Sequence, residues 1–124
     1  MFDFRGTAYY NIEQFDKAVA DYSKAIALDP KNPQYLFNRA NSFYSLKKYG
    51  DAESDYSRAI LISSSNPLYY FYRGVVYSDM GKLQQAITDF NKAIELDPRV
   101  ALFHNLLGFT YLKMLEYEQA LRPF

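Results

Sequence analysis

The sequence predicts an all-α fold made of a row of antiparallel helix hairpins, and three observations carry that expectation. The chain aligns with itself, without gaps, when shifted by 34 residues. Within each period, apolar and small residues recur at spacings of three and four, the rhythm of one face of an α-helix. Polar turns such as Leu46-Lys47-Lys48-Tyr49-Gly50 and Met80-Gly81-Lys82-Leu83 interrupt that rhythm, and turns so short join only antiparallel neighbours.

The register can be followed column by column. Gly6, Ala40, Gly74 and Gly108 align, and Tyr9, Phe43, Tyr77 and Tyr111 follow three residues later. Ala18, Ala52, Ala86 and Ala120 form another column, followed by Tyr22, Tyr56, Phe90 and Phe124 and then by Ala25, Ala59 and Ala93. The chain is therefore divided as one repeat domain, 1–124, with units 1–31, 32–66 and 67–100 and a partial unit 101–124. Pro30 closes the first unit. Patterns without an internal proline over Pro33–Leu46 and Asp51–Ile62 supply the two helices of the second, which ends in Ser63-Ser64-Ser65. In the third unit a small residue at Gly74 facing Ala86 lets two helices approach, with Tyr77 and Phe90 filling the space beside them; Pro98 closes it. The fourth unit is expected to form a helix over Ala101–Met114 and then a second helix that fails near Arg122, because Pro123 lacks the amide a helix needs.

These columns resemble the tetratricopeptide repeat family: 34 residues, small-x-x-aromatic in the first helix, Ala-x3-aromatic-x2-Ala in the second, then proline. The family's leading Trp is replaced by Phe2, Leu36, Tyr70 and His104. The resemblance implies a right-handed superhelix whose first helices line a concave groove that takes an extended peptide or a helix. Carried over by position, the lining is Phe37, Asn38, Asn41 and Tyr44, then Leu68, Phe71, Tyr72 and Val75, then Leu102, Asn105, Leu106 and Phe109. The subclass that grips the terminal carboxylate of chaperones does so with lysines, asparagines and an arginine. The matching positions here are Asp3, Thr7, Asn38, Leu68 and Tyr72, or, one unit later, Phe37, Asn41, Tyr72, Leu102 and Leu106. That departure argues against a chaperone-tail clamp and for an apolar or aromatic ligand, with Asn38 and Asn41 fixing its backbone. The same apolar lining could instead be covered by the chain itself or by a second copy.

Composition narrows the partners. Fourteen Lys plus Arg balance fourteen Asp plus Glu, so no broad field draws the chain to nucleic acid or to an acidic membrane. No run of apolar residues is long enough to span a bilayer. The absence of cysteine removes disulfides and thiolate chemistry and fits a cytoplasmic setting. Hydrophobic residues make up 49% of the chain, enough for a core, and the 13 Tyr and 10 Phe are accounted for by the aromatic columns.

No residue set points to catalysis, a metal or a cofactor. His104 is the only histidine and stands where its counterparts are apolar, so a packing or surface role is expected. Ser63 to Ser65 lack the glycines and lysine of a phosphate loop and read as a linker. Asp51, Glu53 and Asp55 have the spacing of a solvated helix face.

One charged column is unusual. Arg5, Arg39 and Arg73 precede the small residue, and Asp21, Asp55 and Asp89 follow each at a constant interval, whereas the fourth unit has Leu107 and Pro123. Either these are repeated Arg–Asp pairs near the helix contact, which is the expectation, or both columns face solvent independently.

The function expected is a protein-protein interaction scaffold, part of a longer array because both ends fall inside repeat units. The alternatives are a self-associating array and a substrate-selecting segment of a larger enzyme. Self-association is placed at Leu107, Tyr111 and Leu115, as a dimer or an end-to-end stack.

Overall fold

In the computed structural model, residues 12–121 are described, and they form α1 (Ile12–Leu28), α2 (Pro33–Ser45), α3 (Tyr49–Ile62), α4 (Pro67–Asp79), α5 (Leu83–Leu96) and α6 (Ala101–Leu121). Compactness divides the chain into residues 1–62 and 63–124.

In the first unit, α2 packs against both α1 and α3. Asn32 starts α2: its side chain accepts the Gln34 amide at 3.0 Å, and Pro33 occupies the first turn, where a missing N–H costs nothing. The helix stops in a Schellman turn. Lys47 takes a left-handed φ of 61°, the Lys48 amide reaches the Phe43 carbonyl at 2.8 Å, and the Lys47 amide reaches that of Tyr44 at 2.9 Å. The reversal lays α3 on α2 and buries Leu36, Ala40, Ala52, Tyr56 and Ala59.

The second unit repeats this construction in α4 and α5. Asn66 accepts the Leu68 amide at 2.9 Å, with Pro67 following it. Gly81, at φ 78°, is the left-handed residue of the second Schellman turn, with Lys82 N–H to Tyr77 O at 2.8 Å and Gly81 N–H to Ser78 O at 3.0 Å. At the contact of the two helices a Cβ on Gly74 would lie 2.8 Å from the Phe90 ring and 3.2 Å from the Asp89 Cβ, so the helices come closer than any side chain there permits. Tyr70 donates to the Ser64 carbonyl at 3.1 Å, which ties the serine run to α4 as a structural linker.

The Arg–Asp columns pair. Arg39 meets Asp55 in a two-pronged contact at 2.7 and 2.8 Å, and Arg73 meets Asp89 at 2.8 and 2.8 Å. Both aspartates are only 3% exposed, which excludes the solvent-facing reading. Arg39 also donates to Ser23 Oγ at 3.0 Å, tying α1 to the α2–α3 hairpin, and its guanidinium lies over the Phe43 ring. The Asp55 hydrogen bond raises the Arg39 pKa above its ordinary value, against the opposing effect of burial, and the charges of Asp55 and Asp51 add to the rise. Arg5 lies outside the described residues.

The fourth unit departs from expectation. In place of a helix ending at Met114 and a second one, α6 runs unbroken from Ala101 to Leu121. The column that supplies the left-handed residue at Lys47 and Gly81 holds Leu115, and there the chain keeps helical backbone. Arg122 and Pro123, where the break was expected, lie outside the described residues.

Candidate partner-binding surfaces

In residues 1–62, α1 and α2 enclose a pocket of about 220 Å³ lined by Gln14, Phe15, Ala18, Tyr22, Asn38, Asn41 and Ser42. The two asparagines expected to meet a ligand are both on its wall, and both are oriented by the protein. Gln34 Nε2 donates to Asn38 Oδ1 at 3.0 Å, and the Tyr56 hydroxyl donates to Asn41 Oδ1. Those bonds fix which way each amide points; its Nδ2 can donate to a ligand, and its oxygen keeps a second lone pair. Tyr44, half-buried, stacks obliquely on Tyr49 at 5.7 Å between centroids. Phe37 is buried and packs on Tyr56 at 5.8 Å, so it is a core residue and not a groove-lining one.

Sequence reasoning treated Ala18 and Tyr22 only as packing columns and passed over Gln14 and Phe15. The signal that they share a pocket with Asn38 and Asn41 is weak. It consists of the polar-aromatic start of α1 and depends on how α1 lies on α2.

In residues 63–124, Leu68 and Tyr72 on α4 and Leu102, Asn105 and Phe109 on α6 are exposed, while Val75 and Leu106 are half-buried. The Lys113 ammonium sits over the Phe109 ring at 5.1 Å. Phe71 is 4% exposed and wedged between Phe90 (5.7 Å) and Phe103 (4.9 Å), so here too an expected lining residue belongs to the core. Of the residues assigned to self-association, Tyr111 and Leu115 are exposed and Leu107 is half-buried.

His104 is exposed, with Nε2 2.9 Å from the Pro98 carbonyl, which fastens the start of α6 to the turn before it. Among the described residues no cluster of His, Cys, Asp and Glu has the arrangement of a metal site, and no helix is long and apolar enough to cross a membrane.

Family profiles match over most of the chain: the TPR repeat at residues 6–47 and 40–81, and the tetratricopeptide repeat at 67–100 and 90–122. A search of curated proteins returns no match. Among solved structures, the chain is similar to the first TPR of Spaghetti (RPAP3) bound to the HSP90 peptide SRMEEVD, with 31% identity over 90% of this chain and 88% of that one and a TM-score of 0.81. The first TPR domain of human RPAP3 is 30% identical, covering 93% and 91% of the two chains, with a TM-score of 0.83. The second TPR domain of human RPAP3, in complex with the HSP70 peptide SGPTIEEVD, is 29% identical over 86% and 89%, with a TM-score of 0.76.

Proposed function

Because the chain belongs to the tetratricopeptide repeat family, we propose that it is a non-catalytic scaffold, cytoplasmic in setting, that holds a protein or peptide on the first-helix surfaces of its repeats. The observation that carries the reading is the placement of Asn38 and Asn41 on one pocket with their amides oriented by Gln34 and Tyr56. Each accepts a hydrogen bond at Oδ1 from the protein, which leaves the Nδ2 of each to donate to the carbonyls of an extended backbone. Phe15, Ala18 and Tyr22 supply apolar surface beside them, which suits an apolar or aromatic side chain of the ligand.

The Spaghetti and RPAP3 structures hold acidic peptides ending in EEVD. This chain places Leu68 and Tyr72 at positions where the carboxylate-gripping subclass has cations, so its ligand is apolar and not an acidic tail. Fluorescence anisotropy with SRMEEVD and with a length-matched peptide rich in Leu and Phe tests this. The apolar peptide is expected to bind more tightly. Asn38→Asp and Asn41→Asp keep the acceptor oxygens for Gln34 and Tyr56 but remove the donors, and each should weaken the apolar peptide about tenfold, the worth of one hydrogen bond, with little change in Tm. Tighter binding of SRMEEVD, or indifference to both substitutions, would overturn the reading.

A further inference from the structure

Among the described residues the half-buried cations are Arg39, Arg73, Lys92 and Lys113. The first three each meet a carboxylate, of Asp55, Asp89 and Glu95 respectively, and Lys113 meets none. Its ammonium is held instead by an aromatic face and a neutral hydroxyl, 5.1 Å from the centre of the Phe109 ring and 3.5 Å from Ser78 Oγ. Neither carries a formal charge, so the ammonium keeps its charge uncompensated and has N–H donors to spare. A partly desolvated charge gains more from a counter-ion than one in open water does. The surroundings are apolar. The Lys113–Ser78 contact joins α6 to the end of α4, and the rings of Phe71 and Phe103, 4.9 Å apart, join the same helices near their starts. One turn back from Ser78 on α4 is Val75, and one turn back from Lys113 on α6 is Phe109.

We propose that Lys113 is a specificity-determining residue of the α4–α6 surface, and that the segment held there is an apolar stretch of another protein carrying one glutamate or aspartate side chain. The apolar side chains lie along Val75 and Phe109, and the carboxylate takes the ammonium. The inference rests on the reading of the chain as a peptide holder and adds a charge that the apolar lining does not call for. The carboxylate is a side chain and not a chain terminus, because gripping a terminus takes several donors together. The only other lysine or arginine on α4 and α6 is Arg73, and Asp89 already engages it. One acid is favoured over a run of them: Asp79 follows Ser78 and Glu116 lies a turn beyond Lys113, and both repel further negative charge.

Fluorescence anisotropy with acetylated, amidated peptides isolates the side-chain carboxylate, because such peptides have no terminal charge. Leu- and Phe-rich peptides with one Glu at either end or in the middle are each compared with their Gln counterparts. At one placement Glu should bind about tenfold more tightly than Gln, the worth of a charge-assisted hydrogen bond. Lys113→Met keeps an apolar stem over Phe109 and should abolish that preference, while Lys113→Arg should retain it. Binding of the Gln peptides reports the peptide-holding reading and the Glu-to-Gln ratio reports this proposal, so the two fail separately. A ratio near one at every placement, or a preference for Glu that persists in Lys113→Met, would overturn the proposal. Equal strengthening of a Gln peptide by a free C-terminal carboxylate would make a chain terminus the occupant and overturn it as well. Failure of every peptide to bind would sink both readings. Circular dichroism of each variant, showing retained helix, excludes misfolding as the source of a lost preference.

Discussion

The α4–α5 hairpin and α6 are built on the same sequence columns and end differently. In the first, a glycine turn returns the chain, the Ala86–Phe90 stripe covers Gly74, and an arginine is clamped by a buried aspartate. In the second, the helix runs on through Leu115, Gly108 stays bare, and Leu107 stands where the arginine would be. A repeat signature thus specifies a surface, while the backbone path after it decides whether the chain covers it. The meaning of each conserved-looking position in the period depends on its cover: Gly74 is a close-contact residue and Gly108 is only a gap in a side-chain row.

The largest effects should come from positions filled in the hairpin and empty in α6. Phe71→Ala removes a buried ring from between Phe90 and Phe103 and should cost about 3–5 kcal/mol, whereas Asn105→Ala, its exposed counterpart, should stay within about 0.5 kcal/mol. Urea titration of the two variants measures the contrast, and equal losses would erase it.

Arg73→Leu or Asp89→Leu alone should cost about 3–5 kcal/mol by stranding one buried charge, with the double variant losing much less than the sum. Arg39→Leu and Asp55→Leu should behave alike. Additive losses in either double-mutant cycle would mean that the pairs are not coupled.

Gly74→Leu should cost about 1–3 kcal/mol or more, because even a Cβ meets the Phe90 ring, and Ala86→Leu should be similar. Gly108→Leu should be tolerated in thermal melts. The smallest effect expected is a gain: Gly108→Ala should stabilise α6 by about 0.5–1 kcal/mol through helix propensity alone. A Gly108→Ala loss as large as that of Gly74→Leu would show that the α6 face is already covered in solution.

The sequence by itself determined the period, the helix class, the caps and the charge pairs. These are short-range or strictly periodic properties: Asn32-Pro33 and Asn66-Pro67 start helices through their own side chains, and Arg–Asp columns at a fixed interval meet wherever one hairpin geometry repeats. Tertiary structure alone decided three things. It buried Phe37 and Phe71, because a helix position is lining or core according to how its neighbours are rotated around it. It gathered Gln14, Phe15, Ala18 and Tyr22 around Asn38 and Asn41, a proximity no spacing encodes. And it kept α6 straight, because the choice between turn and helix at Leu115 depends on the burial that a returning helix would bring, and that is settled only once the surfaces face each other.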